Sequence, residues 1–315
     1  MNKRQFKEII APISKDLLIK ELTKERFLRK TNNGGNEIYV VDYQNAPNVM
    51  LEIGRLREIT FREAGGGTGK SADIDDYDTA EFPYRQLIVW EPEKQEIIGG
   101  YRFLNCNEQI PRDKQGNIKL ATRGLFEFSD KFIQEYLPYS IELGRSFIQP
   151  DYQASKVGRK ALFSLDNLWD GLGALIVLYP NIKYLFGKIT MYVSYNTFAR
   201  DLILFFLKKY FPDTGNLVYP RVPMNLETDE AELEKIFIGK DYKEDFKIMN
   251  RKVRDCNEII PPLFNSYMNL SPTMKVFGTA INHHFGGVEE TGILIKIEDI
   301  YDTKKHRHIS SFQKD

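Results

Sequence analysis

The sequence predicts an α/β protein in which a mixed central sheet is flanked by helices. Apolar residues alternate with a period of two in several segments and recur at helical spacing in others. The alternating segments are joined both by short turns, which favour antiparallel hairpins, and by helices, which favour crossover connections. The uniform β-α alternation of a barrel does not fit this order of elements.

Size and composition are those of a folded protein with a sizeable core. The chain has 315 residues, of which 42% are apolar and 28% are charged, and this excludes a disordered tail or a disulfide miniprotein. Because 44 basic residues balance 44 acidic residues, no global positive field is available to hold nucleic acid non-specifically. The two cysteines, Cys106 and Cys256, lie far apart in sequence, which suits a reducing cytosol.

The N-terminal third is organised by alternating segments and the turns between them. The helix at residues 49–64 has apolar side chains at helical spacing, and a run of glycines that begins at Gly65 ends it. Two β-rich runs that flank a turn-forming segment at 91–95 predict a hairpin. In chain order, the predicted elements are a strand at 37–43, the helix at 49–64, an acidic loop at 73–78, and hairpin strands at 86–90 and 97–104.

The rest of the chain alternates between strands and helices. Pro150 separates a strand from a long helix that is rich in Leu and Ala and contains Trp169. Prolines and two charged helical runs predict an insertion or lid at residues 212–258. The predicted elements are a strand at 139–148, a helix at 155–178, a strand at 183–190, a helix at 196–211, charged helices at 228–238 and 242–253, a helix start at 260–263, and strands at 274–281 and 292–300.

These elements define five segments. The predicted segments are an N-terminal amphipathic helical segment at 1–36, an α/β core at 37–211, the helical insertion or lid at 212–258, a C-terminal helix and strands that complete the core at 259–302, and a polar tail at 303–315. The N-terminal helix would have an apolar stripe flanked by lysines and an arginine; the stripe consists of Phe6, Ile9, Ile10, Ile13 and Leu17. Such a stripe either packs on the core or contacts a membrane surface.

The glycine-rich segment at residues 64–71 satisfies a relaxed phosphate-loop pattern, with alanine in the first glycine position. A phosphate loop should leave a strand and enter a helix, so that backbone N–H groups face the phosphates. Here a helical pattern precedes the glycines and an acidic loop follows them. Nucleotide binding is therefore the less favoured interpretation.

The strand at 139–148 has charged residues in its middle, between apolar ends. Strict alternation would place Glu142 and Arg145 on opposite faces of the sheet. A β-bulge at Gly144 would bring both to the same face and free a backbone N–H, as bulges next to active sites do. The alternative is a surface ion pair on an edge strand.

Other chemistry-bearing residues give weaker signals. The four histidines, His283, His284, His306 and His308, do not follow a metal-ligand spacing, so a metal site is not expected. A basic cluster consists of Lys156, Arg159 and Lys160 at the start of the predicted long helix, where it is either a docking site for an anionic partner or a solvated face.

Four spaced motifs resemble one known family. The motifs are Arg57-x3-Phe61, Asp75-x-Tyr-Asp78, Gly100-Tyr-Arg102-Phe and Glu142-Leu-Gly-Arg145-Ser. They resemble the acyl-carrier-protein-dependent branch of the GNAT acyltransferases, which includes acyl-homoserine lactone synthases and the hemolysin-like aminolipid N-acyltransferases. The lipid branch is the more similar, through residues 61–69, 168–172 and 260–263. The tryptophan of the lactone synthases is missing and a glycine run stands there, so the resemblance favours amide formation over closure of a lactone ring.

The resemblance implies a GNAT fold whose central sheet admits a phosphopantetheine arm between its middle strands. It implies functional roles for Glu142 and Arg145. The predicted bulge adds Leu143, because the backbone N–H groups around Leu143–Arg145 are the candidate oxyanion donors. The implied substrate-binding residues are Arg57, Phe61, Asp75, Asp78 and Arg102. Lys156, Arg159 and Lys160 would bind the acyl carrier protein or its pantetheine arm.

The function expected from the resemblance is transfer of a 3-hydroxy fatty acyl group from acyl carrier protein to the α-amine of a small amino acid, glycine or ornithine, in aminolipid biosynthesis. The acyl-phosphopantetheine thioester is a co-substrate, and no bound cofactor or metal is expected. Carrier protein and amino acid are the expected partners, and the location is cytoplasmic with peripheral inner-membrane contact as an option. The alternatives are a noncatalytic acyl-carrier or lipid-binding module and a phosphate-loop nucleotide-binding protein.

Overall fold

The computed structural model describes residues 6–153 and 163–313. The chain divides into two compact units. The first contains Met1–Ala121, Tyr139–Lys183 and Asp302–Asp315, and the second contains Thr122–Pro138 and Tyr184–Tyr301. The predicted core at 37–211 is divided between the two units, because residues 122–138 belong to the second unit together with the C-terminal strands.

The described residues confirm the α/β class and the order of the predicted elements. The strands are β1 Phe27–Lys30, β2 Glu37–Val41, β3 Arg85–Glu91, β4 Glu96–Asn105, β5 Phe126–Phe128, β6 Ser140–Ile148, β7 Tyr184–Met191, β8 Val218–Pro220, β9 Lys275–Asn282 and β10 Val288–Lys296. The helices of seven or more residues are α1 Lys15–Glu21, α2 Pro47–Glu63, α3 Ser164–Leu178, α4 Thr197–Tyr210, α5 Glu230–Ile236, α6 Tyr242–Asp255 and α7 Pro262–Met268.

The first unit is built on an antiparallel sheet in the order β1-β2-β3-β4-β6. Helix α2 lies on the face to which Gln86 points, because Arg57 of α2 hydrogen-bonds that side chain. Helix α3 lies on the opposite face, where Gly171 approaches Leu87 so closely that an added Cβ would lie 2.6 Å from a Leu87 methyl. The alternation of side chains along β3 thus separates the two helical layers.

A β-bulge in β6 is the feature of this sheet that matters most for function. Gly100 pairs with Phe147 and Arg102 pairs with Gly144, so two steps along β4 oppose three steps along β6. The additional residue lies at Arg145–Ser146, and Arg145 has a left-handed φ of 49°. On β4, opposite the bulge, Gly99 leaves no room for a side chain, because an added Cβ would lie 2.3 Å from the Phe147 carbonyl oxygen.

The second unit has a three-stranded antiparallel sheet in the order β7-β10-β9, and β5 pairs with β8 in a separate antiparallel pair. A parallel bridge between Pro212 and Val276 adds to the edge of β9, so the pairing in this unit is mixed. Helix α4 packs against α6 through aromatic rings, with Phe206 at 5.2 Å from Tyr242 between centroids. The predicted helices of the 212–258 insertion correspond to α5 and α6, which precede the last two strands. Whether they act as a lid stays a prediction.

The N-terminal segment differs from the amphipathic helix predicted for residues 1–36. Among residues 6–36, which the structure describes, the helical part is Lys15–Glu21. Residues 7–10 run beside the glycine-rich segment, where the backbone N–H groups of Lys7 and Ile10 donate to the Gly69 and Ser71 carbonyls. Pro12 lacks the N–H that a helix needs, and Ser14 ends the extended stretch. Phe6 packs against the Arg62 guanidinium rather than along a helical stripe.

The C-terminal segment also differs from the polar tail predicted for 303–315. Residues Lys305–Ile309 form a helical turn on α3, where His308 is buried and its Nδ1 lies 2.8 Å from the Asp170 carboxylate. Gly173 of α3 permits this packing, because a Cβ there would lie 2.0 Å from the His308 carbonyl oxygen. The buried pairing could not be deduced from the polar composition of the tail.

Candidate functional site

An ionic network lies between α2 and the sheet of the first unit. Arg57, on α2, is fully buried and its Nη1 lies 3.4 Å from Asp78. Arg102, on β4, contacts both oxygens of Asp75 at 2.7 and 2.8 Å and approaches Asp78 at 3.3 Å. The segment that carries these aspartates is the acidic loop of the sequence analysis, and it lies over the sheet rather than in solvent.

Arg145 joins this network because of the bulge in β6. Its Nε lies 2.7 Å from Asp73, and its Nη2 lies 3.5 Å from Asp75. The left-handed backbone at Arg145 turns the side chain toward the acidic loop, on the face where Arg102 also lies. The bulge predicted at Gly144 is therefore confirmed, with the extra residue one or two positions further along the strand.

Burial and pairing set the charge state of the network. Burial by itself would raise the pKa of Asp75, but the charges of Arg102 and Arg145 and the hydrogen bond from Arg102 lower it well below its usual range. Burial would lower the pKa of Arg102, and the carboxylates of Asp78 and Asp75 outweigh that effect and raise it. The Arg102–Asp75 pair is therefore charged throughout the neutral range. Burial lowers the pKa of Arg57 in spite of Asp78.

Glu142 lies beside this network and is only 1% exposed. Its carboxylate accepts a hydrogen bond from the hydroxyl of Tyr84, which is also buried. The Arg102 guanidinium covers the Tyr84 ring at 5.2 Å from the centroid. Because Glu142 is buried, the alternative interpretation of Glu142 and Arg145 as a surface ion pair on an edge strand is wrong.

Most of the predicted site residues come together in the first unit, on one side of its sheet. Arg57, Asp75, Asp78, Arg102 and Arg145 form the ionic network, and Glu142 lies next to it. Phe61 is buried on α2 one turn from Arg57, and its carbonyl accepts the Gly66 N–H at 2.7 Å. Leu143 is buried opposite Phe103 at the beginning of the distorted part of β6.

Lys156, Arg159 and Lys160 lie outside the described residues. Their predicted role in binding a carrier protein or its pantetheine arm stays a prediction.

Three residues of the site were not among the predicted ones. Asp73 binds Arg145, Gln86 accepts from Arg57 and donates to Asp78 at 3.0 Å, and Tyr84 donates to Glu142. Tyr84 and Gln86 are two positions apart, so period-two alternation places them on one face. The strand predicted from the sequence begins at Gln86 and does not include Tyr84. The hairpin register, which pairs Gln86 with Arg102, could have indicated that face.

The glycine-rich segment binds a carboxylate of the same chain. Glu58 of α2 accepts hydrogen bonds from the Thr68 N–H, the Thr68 hydroxyl and the Gly69 N–H at 3.1, 2.6 and 2.7 Å, and from Arg62 Nε at 2.8 Å. The backbone donors that a phosphate loop would offer to a nucleotide are thus used by Glu58. The phosphate-loop alternative has no support from this geometry.

Glu58→Gln should destabilise the protein by about 1.5–3 kcal/mol, because a charged acceptor of several hydrogen bonds is replaced by an amide. Burial by itself would raise the pKa of Glu58, but the hydrogen bonds from Thr68, Arg62 and Gly69 lower it below its ordinary value of 4.5. The stabilisation is therefore present above pH 4.5 and is lost as the pH falls further. Urea denaturation of both proteins from about pH 3, below the ordinary pKa of a glutamate, to about pH 8, well above it, measures this difference.

Glu63→Gln on the same helix is the matched control, since Glu63 is exposed. We expect it to change the free energy of unfolding by less than about 0.5 kcal/mol. A destabilisation by Glu58→Gln that persists unchanged at low pH would contradict the charged role of Glu58.

The residues that the structure describes also bear on metal binding and on membrane crossing. No group of three or more His, Cys, Asp or Glu side chains there is arranged to hold a metal ion. No helix in the same residues combines the length and the apolar character that crossing a membrane requires.

Comparison with known proteins defines the class. Residues 56–162, which include the second half of α2, the acidic loop, β3, β4 and β6, match the family model described as an acetyltransferase (GNAT) domain. The ionic network, Glu142 and the bulge all lie in this range. This match indicates an acyltransferase of the GNAT type.

Two curated relatives define the family within that class. The chain is 57% identical to the glycine N(alpha)-acyltransferase of Phocaeicola vulgatus over 309 residues, which covers 98% of this chain and 94% of the relative. It is 58% identical to the glycine N(alpha)-acyltransferase of Bacteroides thetaiotaomicron over 307 residues, which covers 98% of this chain and 91% of the relative. The chain belongs to the family of these N-acyltransferases, and the expected family and enzyme class are confirmed.

Two solved structures are similar at low TM-scores. One is FeeM, an N-acyl amino acid synthase from uncultured soil microbes, with a TM-score of 0.39, 11% identity, and coverage of 83% of this chain and 95% of that chain. The other is BjaI, a CoA-dependent acyl-homoserine lactone synthase, solved with SAM and isopentyl-CoA, with a TM-score of 0.37, 11% identity, and coverage of 87% and 89%.

Proposed function

We propose that the protein transfers a fatty acyl group from an acyl-carrier-protein thioester to the α-amine of glycine, in the biosynthesis of an aminolipid. The observation that supports glycine is the name of the two relatives, which are 57% and 58% identical over 98% of the chain. The sequence motifs are compatible with either glycine or ornithine as the acyl acceptor, and the names of the relatives favour glycine. The noncatalytic module gains no support, because the family is one of acyltransferases.

Glu142 is the proposed general base. The amine of an amino acid is protonated at neutral pH, so a group must accept its proton before or during attack on the thioester carbonyl. A carboxylate in the middle of a buried strand suits that task, and Glu142 is the carboxylate of β6. One proton passes from the ammonium group to Glu142, and the neutral amine forms the new C–N bond. The second N–H proton of the attacking nitrogen passes to the departing sulfur as the C–S bond breaks, so the pantetheine leaves as a thiol and the amide keeps one N–H.

The bulge of β6 is the proposed oxyanion site. Attack on the thioester places negative charge on the carbonyl oxygen, which needs a hydrogen-bond donor close by. A bulge leaves the extra residue without a directly opposed partner, and here that residue follows Leu143 and Gly144. The backbone N–H groups around Leu143–Arg145 are the proposed donors, and that of Arg145 lies in the bulge itself.

Arg145 is the proposed ligand for the carboxylate of the amino acid. A guanidinium holds a carboxylate through two parallel hydrogen bonds. Arg102 is the other guanidinium of the site, and each of the two contacts two aspartates; the Arg102 side chain is only 3% exposed, whereas the Arg145 side chain is 16% exposed and is the more accessible to an amino acid. Arg102, Arg57, Asp75 and Asp78 then hold the acidic loop over the sheet.

The acyl donor and the location follow from the chemistry proposed for the reaction. Donor and acceptor are both soluble and only the product is a lipid, so we propose a cytoplasmic enzyme with at most reversible contact to the inner membrane. The predicted basic cluster Lys156, Arg159 and Lys160 would dock the acidic carrier protein, because a protein of zero net charge needs a local field to steer a charged partner.

Reversal of the three charges, Lys156→Glu with Arg159→Glu and Lys160→Glu, should raise KM for acyl carrier protein by about tenfold, since charges at an interface act mainly on encounter. The KM for glycine should not change. Steady-state kinetics at two salt concentrations measure both effects, because loss of the cluster should also weaken the salt dependence.

The matched control reverses Lys243, Lys247 and Arg251, which are exposed at four-residue spacing on α6. An equal loss of activity toward a minimal acyl-pantetheine donor would show that the cluster acts on the arm or the fold and not on the docking of the carrier protein.

The proposed function is tested by thiol release from the donor. Purified protein is mixed with 3-hydroxyacyl carrier protein or the corresponding acyl-CoA, and with glycine, ornithine or other amino acids. We expect glycine-dependent thiol release with a higher kcat/KM for the carrier-protein donor. Faster release with ornithine would contradict glycine as the acceptor, and faster release from acyl-CoA would contradict acyl carrier protein as the donor. Release with no amino acid would contradict both assignments.

A further inference from the structure

Tyr84 is the residue in direct contact with the proposed base. It precedes β3 by one residue and is 2% exposed, and its hydroxyl donates a hydrogen bond to Oε2 of Glu142. None of the motifs in the sequence includes this tyrosine. Its position follows from the sheet, because Arg85 pairs with Phe103 and Glu142 pairs with Leu104, which brings Tyr84 and Glu142 to the same end of β4.

The direction of the hydrogen bond is fixed by a second contact. The backbone N–H of Ala121 donates to the Tyr84 hydroxyl oxygen at 3.1 Å. A phenolic hydroxyl has one proton, so with its oxygen accepting from Ala121 that proton is directed at Glu142. Burial and the charge of Glu142 raise the pKa of Tyr84 well above its ordinary value of 10, so the phenol keeps its proton and remains a donor.

The Tyr84 ring is held from two sides. The Tyr77 ring contacts it edge-on at 5.5 Å between centroids, and the Tyr84 N–H donates to the Tyr77 carbonyl at 2.9 Å. The Arg102 guanidinium lies over the ring at 5.2 Å. Arg102 is itself fixed by Asp75 at 2.7 Å. Tyr84 therefore connects the rigid ionic network to the carboxylate of Glu142.

We propose that Tyr84 is a positioning residue for acyl transfer, which fixes one oxygen of the Glu142 carboxylate so that the group is oriented to receive the proton of the amine. This inference rests on the proposed function, in which Glu142 is the base. A fixed carboxylate loses less freedom on reaching the transition state than a mobile one, and catalysis depends on that preorganisation. The titratable and charged groups that face Tyr84 and Glu142 are Tyr77, Asp75, Arg102 and Cys106.

The test is Y84F, with Y152F as the matched control. Tyr152 is also buried in the first unit and its hydroxyl donates to a glutamate, Glu96, at 3.1 Å, but it lies outside the site. Phenylalanine keeps the ring and removes only the hydroxyl. We expect Y84F to lower kcat by about tenfold or more, to leave KM for the acyl donor within about twofold, and to move the acidic limb of the pH profile of kcat/KM to higher pH.

The direction of the shift follows from the hydrogen bond. A hydrogen-bond donor stabilises the charged form of a carboxylate, so removal of the Tyr84 hydroxyl makes the charged, proton-accepting form of the base less favourable. A merely structural tyrosine would change the fraction of active enzyme, which alters the height of the profile and not the position of its limb. We expect Y152F to keep the wild-type profile.

A second variant covers the case in which Y84F does not fold. Site-specific 3-fluorotyrosine at position 84 keeps the ring and the hydroxyl and makes the phenol a stronger donor, so it should move the acidic limb in the opposite direction, to lower pH. A wild-type kcat and an unshifted limb in either variant would overturn the assignment of Tyr84. Failure of the wild-type protein to release thiol with any amino acid would instead overturn the proposed function.

Discussion

Replacement of Glu142 by glutamine should lower kcat by about 10²–10⁴, the usual contribution of a general base. Glutamine has nearly the same volume and can still receive a hydrogen bond from Tyr84, but it cannot accept the proton of the amine. The loss should therefore appear in kcat, with little change in KM for the acyl donor. Initial rates of thiol release, measured with saturating glycine at several pH values, give this result directly.

Glu91→Gln provides the control for this substitution. Glu91 is 5% exposed at the end of β3 and lies outside the ionic network, so loss of its charge tests whether any buried carboxylate of the sheet would give the same result. We expect it to retain more than about half of the wild-type kcat, since substitutions away from the reacting groups rarely change turnover much. If Glu142→Gln turned over like the wild type across neutral pH, Glu142 would be a structural residue.

Asp78→Ala should cost about 3–5 kcal/mol in the free energy of unfolding. Asp78 is the carboxylate nearest to the buried Arg57, at 3.4 Å, and it also contacts Arg102 at 3.3 Å. Its removal leaves the fully buried Arg57 guanidinium without its ion-pair partner at 3.4 Å, while the hydrogen bond to Gln86 remains. Urea denaturation followed by circular dichroism measures the change.

Asp76→Ala in the same loop is the matched control, because Asp76 is exposed, and we expect less than about 0.5 kcal/mol. The double variant Arg57→Met with Asp78→Ala should recover part of the loss, since both buried charges are then absent. If Asp78→Ala and Asp76→Ala had the same small effect, the network would not support the fold.

The sequence predicted the elements of the fold well because local patterns determine them. The hairpin of β3 and β4, helix α2 and strand β6 lie within a few residues of the predicted ranges. Strand β1, at Phe27–Lys30, was missed because it is four residues long and contains two basic residues, so its pattern resembles that of a loop. The N-terminal helix was overestimated because its apolar spacing outweighed the effect of Pro12.

The site was predicted in part, and the reason differs from residue to residue. The bulge could be anticipated because Glu142 and Arg145 interrupt an apolar strand at odd spacing. The pairing of Arg102 with Asp75 depends on the position of a loop over a sheet, and no local pattern determines that position. Tyr84 was missed since its role depends on the register between three strands and on the Ala121 N–H, 37 residues away.

The proposed chemistry also includes direct transfer, in which no covalent acyl-enzyme intermediate forms. Cys106, which lies near Glu142, is buried, and burial and the charge of Glu142 raise the pKa of its thiol well above the ordinary value. A protonated, buried thiol is a poor nucleophile. The acyl group should therefore pass directly from the thioester to the amine, with the amino acid present at the moment of transfer.

Intact-protein mass spectrometry combined with thiol titration tests this central claim most directly. Protein is mixed with a stoichiometric amount of 3-hydroxyacyl carrier protein, first without and then with glycine. Direct transfer at the Glu142 site predicts an unchanged protein mass and negligible thiol release until glycine is added, and then one thiol for each molecule of N-acylglycine. A burst of thiol without glycine, together with an increase of the protein mass by one acyl group, would contradict it.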